Sequence, residues 1–130
     1  MTTKELYDAL ICKPDLHIRP ELCDNVLVWH LYKDAHIHAF CHEGDASIHI
    51  IGNSIFSNSI MHWHPEEEDM VEELYTLGKT GNILVLKKSL LCTSIFYSGP
   101  SENYPLPDKR WLHFGKEKWN GGQLIYLEQK

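Results

Sequence analysis

Positive charge is scarce in this sequence: 12 Lys and Arg stand against 18 Asp and Glu, a net charge of -6 with histidine neutral. That sign opposes contact with a phosphate backbone, so nucleic acid is not expected as a partner. No apolar run approaches the roughly 18 residues of a membrane span, and Met1-Thr2-Thr3-Lys4-Glu5-Leu6 lacks the basic start and apolar stretch of a signal peptide. The expectation is a cytoplasmic protein without a membrane partner. The four cysteines, Cys12, Cys23, Cys41 and Cys92, form no Cys-x-x-Cys pair, which fits neither a zinc ribbon nor a dense disulfide framework and leaves buried thiols as the expectation. No Gly-x-Ser-x-Gly elbow, phosphate loop or dinucleotide fingerprint occurs, so the large enzyme classes lack a signature here and enzymatic activity is left open.

What is present is ordinary globular composition, 43% hydrophobic and 23% charged over 130 residues. That is enough chain for one domain, residues 1–130, with a core of its own. Thr3 to Lys13 reads as a helix capped by Thr2 or Thr3 and stopped by Pro14. Val26 to Tyr32, His36 to His42, Ser47 to Ile51 and Ser54 to His64 are rich in β-branched and aromatic residues between short polar turns, as strands require. Pro65 to Gly78 reads as a second helix, with an acidic first turn and Met70, Val71, Leu74 and Leu77 at helical spacing. Ile83 to Lys87, Leu91 to Tyr97, Trp111 to Phe114 and Gln123 to Glu128 complete the strands, and Trp111, His113 and Trp119 offer an aromatic lip. The order of elements predicts an α+β fold, a mostly antiparallel sheet of about seven strands with an N-terminal helix and a central helix at 65–78.

The chemical anomaly is histidine: seven of the nine, His30, His36, His38, His42, His49, His62 and His64, fall between residues 30 and 64. In the first two of these strands the odd positions Leu27, Trp29, Leu31, Ile37, Ala39 and Cys41 are apolar while the even positions carry the imidazoles, so alternation predicts a core face and a histidine face. A three-residue connection at 33–35 would pair His30 with His38, a Gly44-Asp45 turn would pair Cys41 with Ile48, and a Gly52-Asn53 turn would pair Ile50 with Ile55. All three keep the apolar sets together. His30, Tyr32, His36, His38, Phe40 and His49 then form a candidate ligand-binding face, joined by Phe56, Ile60, His62 and His64.

Strand rise puts His36 and His38, or His62 and His64, about 7 Å apart, close enough to converge on one ion. The same register brings His62 and His64 toward His42, Glu43 and Asp45, a donor set suited to zinc or iron. His36, His38 and Glu43 resemble the His-x-His-x-x-x-x-Glu part of the cupin metal motif, but the flanking glycines are off its spacing and the helix at 65–78 interrupts a jelly-roll order. His36-Ile37-His38-Ala39-Phe40 resembles the motif of histidine-triad nucleotide hydrolases, with Phe40 where that chemistry needs histidine. Neither resemblance transfers residues. Three readings follow: a binding or regulatory protein offering the histidine-aromatic face to a protein or small anionic ligand, a histidine-coordinated metal hydrolase or metal sensor, and an acidic immunity- or antitoxin-like inhibitor of a basic partner.

Overall fold

In the computed structural model, residues 1–52, 59–89, 91–104, 117–119 and 122–130 are described. The fold is α+β, and its strands are all antiparallel. Helix α1 spans Thr3–Ile11 and α2 spans Met70–Gly78, preceded by a 3-10 turn at Glu67–Asp69. The strands are β1 (Glu21–Cys23), β2 (Val26–Trp29), β3 (Ala35–His42), β4 (Asp45–Gly52), β5 (Ser59–Trp63), β6 (Asn82–Lys88), β7 (Thr93–Pro100), β8 (Glu117–Trp119) and β9 (Gly122–Leu127). The α+β class, the antiparallel strands and the two helices agree with the order of elements, and the strands are divided between two sheets. β1 to β5 form one sheet in sequence order, and β7-β6-β9-β8 form a second. The helix between β5 and β6 breaks the meander, so β6 starts a new sheet instead of extending the first.

The main core lies between the inner face of the first sheet, one face of the second and the two helices. Leu6 and Leu10 of α1, Leu74 of α2, Ile37 and Ile50 of the first sheet and Leu84 and Leu127 of the second belong to this one cluster. Thr2 closes a capping box with Glu5 at the start of α1, which satisfies amide groups that a helix N-terminus leaves open. Thr3 then ties α1 to β3: its hydroxyl accepts from the Cys41 amide at 3.0 Å and donates to the Cys41 carbonyl at 3.3 Å. Trp29 is fully buried, donates its indole N–H to the Ile18 carbonyl at 2.9 Å, and lies directly against the backbone of Gly78. On the other face of the second sheet Ile83, Val85, Tyr104, Leu124 and Tyr126 form a smaller cluster.

Strand β1 lies in a stretch that the sequence presents as a connection. It pairs with β2 through an Asp24-Asn25 turn, with Cys23 opposite Val26 and Asp24 at a φ of 55°. The cysteines also depart from expectation: Cys41 is buried, whereas Cys12, Cys23 and Cys92 are exposed free thiols. The Trp111 to Phe114 strand, the Trp111 and His113 part of the aromatic lip, and Phe56 lie outside the described residues, as does the side chain of Trp119. Among the described residues no helix is long and apolar enough to cross a membrane.

Candidate functional site: an imidazole row on the outer sheet face

Alternation sets this site. In β3 the odd positions Ile37, Ala39 and Cys41 are buried, while His36 and His38 are half-buried and Phe40 is 37% exposed. β4 continues the pattern: Ala46, Ile48 and Ile50 point to the core, and His49 lies on the outer face opposite His38. In β5 His62 is opposite His49. Three imidazoles therefore stand abreast on β3, β4 and β5, where adjacent strands are about 4.8 Å apart.

The row extends at both ends. His30 follows β2, its ring 5.0 Å from that of His36, and His36 lies 4.9 Å from His38. At the far end His49 and His62 are stacked, with centroids 5.3 Å apart and planes at 17°, and His64 meets His62 edge-on at 5.7 Å. His64 Nδ1 lies 3.2 Å from the Ala46 carbonyl oxygen, which orients that ring. Six imidazoles thus cross the sheet from the end of β2 to just beyond β5.

Burial sets the electrostatics first. Loss of solvent holds the His38 imidazole below its ordinary range, and His36, His49 and His30 push it further in that direction. His49 is lowered in the same way, by burial and then by His62 and His64. After burial, the neighbours that lower these two rings are other imidazoles. Protons on the row therefore oppose one another, and an anion laid on it relieves that opposition.

The faces agree with alternation, but each predicted pairing is displaced. The β3–β4 turn is Glu43-Gly44, not Gly44-Asp45. Glu43 and Gly44 have φ values of 44° and 85°, the two positive values of a type I′ turn, and Cys41 consequently pairs with Ala46 instead of Ile48. Val28, not His30, is opposite His38, and Ile50 is opposite Met61 instead of Ile55, with an irregularity at Ile50/Ile51. These shifts move residues along a face without turning β3 or β4 over. Ile60 departs from the expected face and packs against the core, next to that irregularity.

Tyr32 also leaves the predicted binding face. It is fully buried and donates its hydroxyl to the Leu77 carbonyl at 3.4 Å. Alternation ends before Tyr32 because β2 stops at Trp29 and the next segment pairs with the C-terminal residues. Tyr32 bridges to Gln129, the Lys33 amide donates to the Glu128 carbonyl, and the Lys130 amide donates to the Leu31 carbonyl. Leu31 and Tyr32 are therefore both inside.

The residues considered for zinc or iron are divided along the sheet. His42 is exposed, pairs in register with Asp45 and approaches Glu43 at 3.9 Å. His62 is opposite His49, four positions along β4 from Asp45 and therefore roughly 13 Å away at the strand rise. His64, beside Ala46, is nearer the hairpin. Among the described residues no three His, Cys, Asp or Glu side chains are grouped so as to hold a metal ion.

The feature that sequence reasoning missed is a cleft at the β2 end of the row, lined by residues from the Ile18 to Glu21 segment, β2 and the C-terminal segment. Pairing of β1 with β2 joins the Ile18 to Glu21 segment to Val28 and His30, and the pairing of the C-terminal residues with the segment after β2 brings in Lys130 from the far end of the sequence. Comparison with protein families, with curated proteins and with solved structures finds no match to this chain.

Proposed function

We propose that the outer face of the five-stranded sheet is a binding surface for an anionic ligand, and that binding is linked to proton uptake. The observation that supports this reading is the pair of imidazole triads, His30-His36-His38 and His49-His62-His64, with neighbouring rings 4.9 to 5.7 Å apart and the two triads joined by the His38–His49 register pair, and Phe40 on the same face as apolar contact area. A chain of net charge -6 repels anions until acidification charges its imidazoles. Ligand and proton then favour one another, because binding of one raises affinity for the other.

A deca-glutamate peptide serves as the probe in calorimetric titrations at pH 7.5 and pH 5.5, where its carboxylates remain largely ionised. Affinity is expected to rise about tenfold on acidification, a difference of about 1.4 kcal/mol. The double variant His38→Gln/Phe40→Ala is expected to lose the gain. Equal affinity at both pH values, or an undiminished gain in the double variant, overturns the proposal. The competing reading, a zinc or iron hydrolase on His42, His62 and His64 with Glu43 or Asp45, draws on the close approach of His62 and His64. Elemental analysis before and after chelation separates the two: about one tightly held metal per chain, lost in His62→Gln/His64→Gln, supports the enzyme.

A further inference from the structure

The cleft beside His30 has a volume of about 260 Å³ and is lined by Ile18, Arg19, Glu21, Val28, His30 and Lys130. Its walls are held by backbone constraints. Ile18 is fixed by the hydrogen bond from the Trp29 indole to its carbonyl. Arg19 precedes the buried Pro20, which restricts its backbone to extended conformations. The Lys130 amide donates to Leu31 at 2.7 Å, and the Lys130 carbonyl accepts from the His17 ring. Val28 lies on β2 between two register partners, Glu21 of β1 and His38 of β3.

Nε and Nη2 of Arg19 each lie 3.4 Å from the Tyr7 hydroxyl oxygen, and among the described residues neither Arg19 nor Lys130 forms an ion pair. The lining carries the Arg19 guanidinium and the Lys130 ammonium beside one carboxylate side chain, Glu21. Beyond the Nε and Nη2 contacts to Tyr7 the Arg19 guanidinium keeps further N–H donors, and these and the His30 imidazole can serve an oxyanion in the cleft. The volume is below the usual range for drug-sized ligands, roughly 300 to 1,000 Å³, so the occupant is small.

We infer that this cleft binds the carboxylate or phosphate group of a small molecule between Arg19 and His30. The site shares His30 with the imidazole row but does not depend on the row's titration, since a guanidinium keeps its charge throughout the neutral range. Binding therefore persists at pH 7.5, where the row is expected to bind anions weakly.

The test is an amide-resolved NMR titration at pH 7.5 and low salt, with inorganic phosphate and acetate as separate probes. Saturable shifts confined to Ile18, Arg19, Val28, His30 and their neighbours are expected for at least one probe, and which probe saturates identifies the preferred oxyanion. Arg19→Gln is expected to weaken binding at least about tenfold, and Arg19→Lys, which keeps the charge and loses the fork, severalfold. Lys4→Gln, with the same change in net charge on α1, is expected to leave binding unchanged. A thermal melt of each variant confirms that it is folded, and Arg19→Lys decides the question if Arg19→Gln is not. Non-saturating shifts with both probes, shifts centred on His49 and His62, or equal weakening by Lys4→Gln and Arg19→Gln overturn the inference. Loss of phosphate or acetate binding in Arg19→Gln with acid-dependent deca-glutamate binding intact sustains the cleft as a separate site. The reverse pattern removes the cleft and leaves the row.

Discussion

Acidification from pH 7.5 to pH 5.0 destabilises this fold through the imidazole row. Folding lowers the proton affinity of His38 and His49, so the unfolded chain takes up protons first as the pH falls. Stability is then greatest above the ordinary imidazole range, declines through it, and levels off only below the depressed native values. Two imidazolium rings about 5 Å apart repel by about 0.8 kcal/mol in the dielectric of water, and 0.15 M salt, with a Debye length of about 8 Å, roughly halves this. Two such contacts involve the shifted rings, His38 with His36 and His49 with His62, so their protonation destabilises the fold by on the order of 1 kcal/mol in physiological salt, and somewhat more at 10 mM salt.

Urea unfolding at both pH values and both salt concentrations measures the effect. The reference is His38→Gln/His49→Gln, which removes the two central rings and so isolates the row from other titrating groups. Glu73 is one of those groups: burial raises its carboxyl above the ordinary value, partly offset by a hydrogen bond from Trp63. A raised carboxyl has the opposite sign, favouring the fold at low pH and losing that contribution as the pH climbs through its native value. Wild type is expected to lose about 1 kcal/mol more than the double variant on acidification in physiological salt, and more at low salt. Identical pH dependence in the two proteins, or no response to salt, refutes the assigned coupling among the rings.

Two further predictions concern the framework that carries the row. A Cβ at Gly78 would meet the Trp29 indole, with Cζ3 at 2.8 Å and Cη2 and Cζ2 closer still, so Gly78→Ala is expected to destabilise by at least about 3 kcal/mol. At roughly 4 °C per kcal/mol this is a fall of about 10 °C in thermal midpoint, and an unchanged midpoint contradicts the close approach. Glu43 holds a φ of 44° at the first position of the β3–β4 turn. Glu43→Asn, better suited to that conformation, is expected to raise stability by about 0.5 to 1 kcal/mol in urea unfolding, with no offsetting loss from the exposed His42 contact; a fall in stability contradicts the turn assignment.

Alternation made much of this molecule legible. Ile37, Ala39 and Cys41 against His36, His38 and Phe40 is a period-two pattern, and a strand can satisfy it only by burying one set and exposing the other. Both helices were readable, from the Thr2 cap and the spacing of Met70, Leu74 and Leu77, although the second begins at Met70 and not at Pro65, with a 3-10 turn in place of its expected first turn. Pairing was not, because a shift of two residues leaves every side chain on its own face and so costs the pattern nothing. The Glu43-Gly44 and Gly44-Asp45 turns are both compatible with alternation, and backbone geometry selected the first.

The residues themselves therefore determined that this chain is an antiparallel α+β protein with one face rich in imidazole. Tertiary structure decided which imidazoles meet. It set His49 between His38 and His62, left His42 at the hairpin with Glu43, and took Tyr32 into the core by pairing its segment with the chain around Gln129. It also assembled the Arg19, His30 and Lys130 cleft from three segments. The division has a physical cause: alternation is a local consequence of backbone geometry, whereas register and contacts between distant segments depend on loop lengths and on partners that local sequence does not specify.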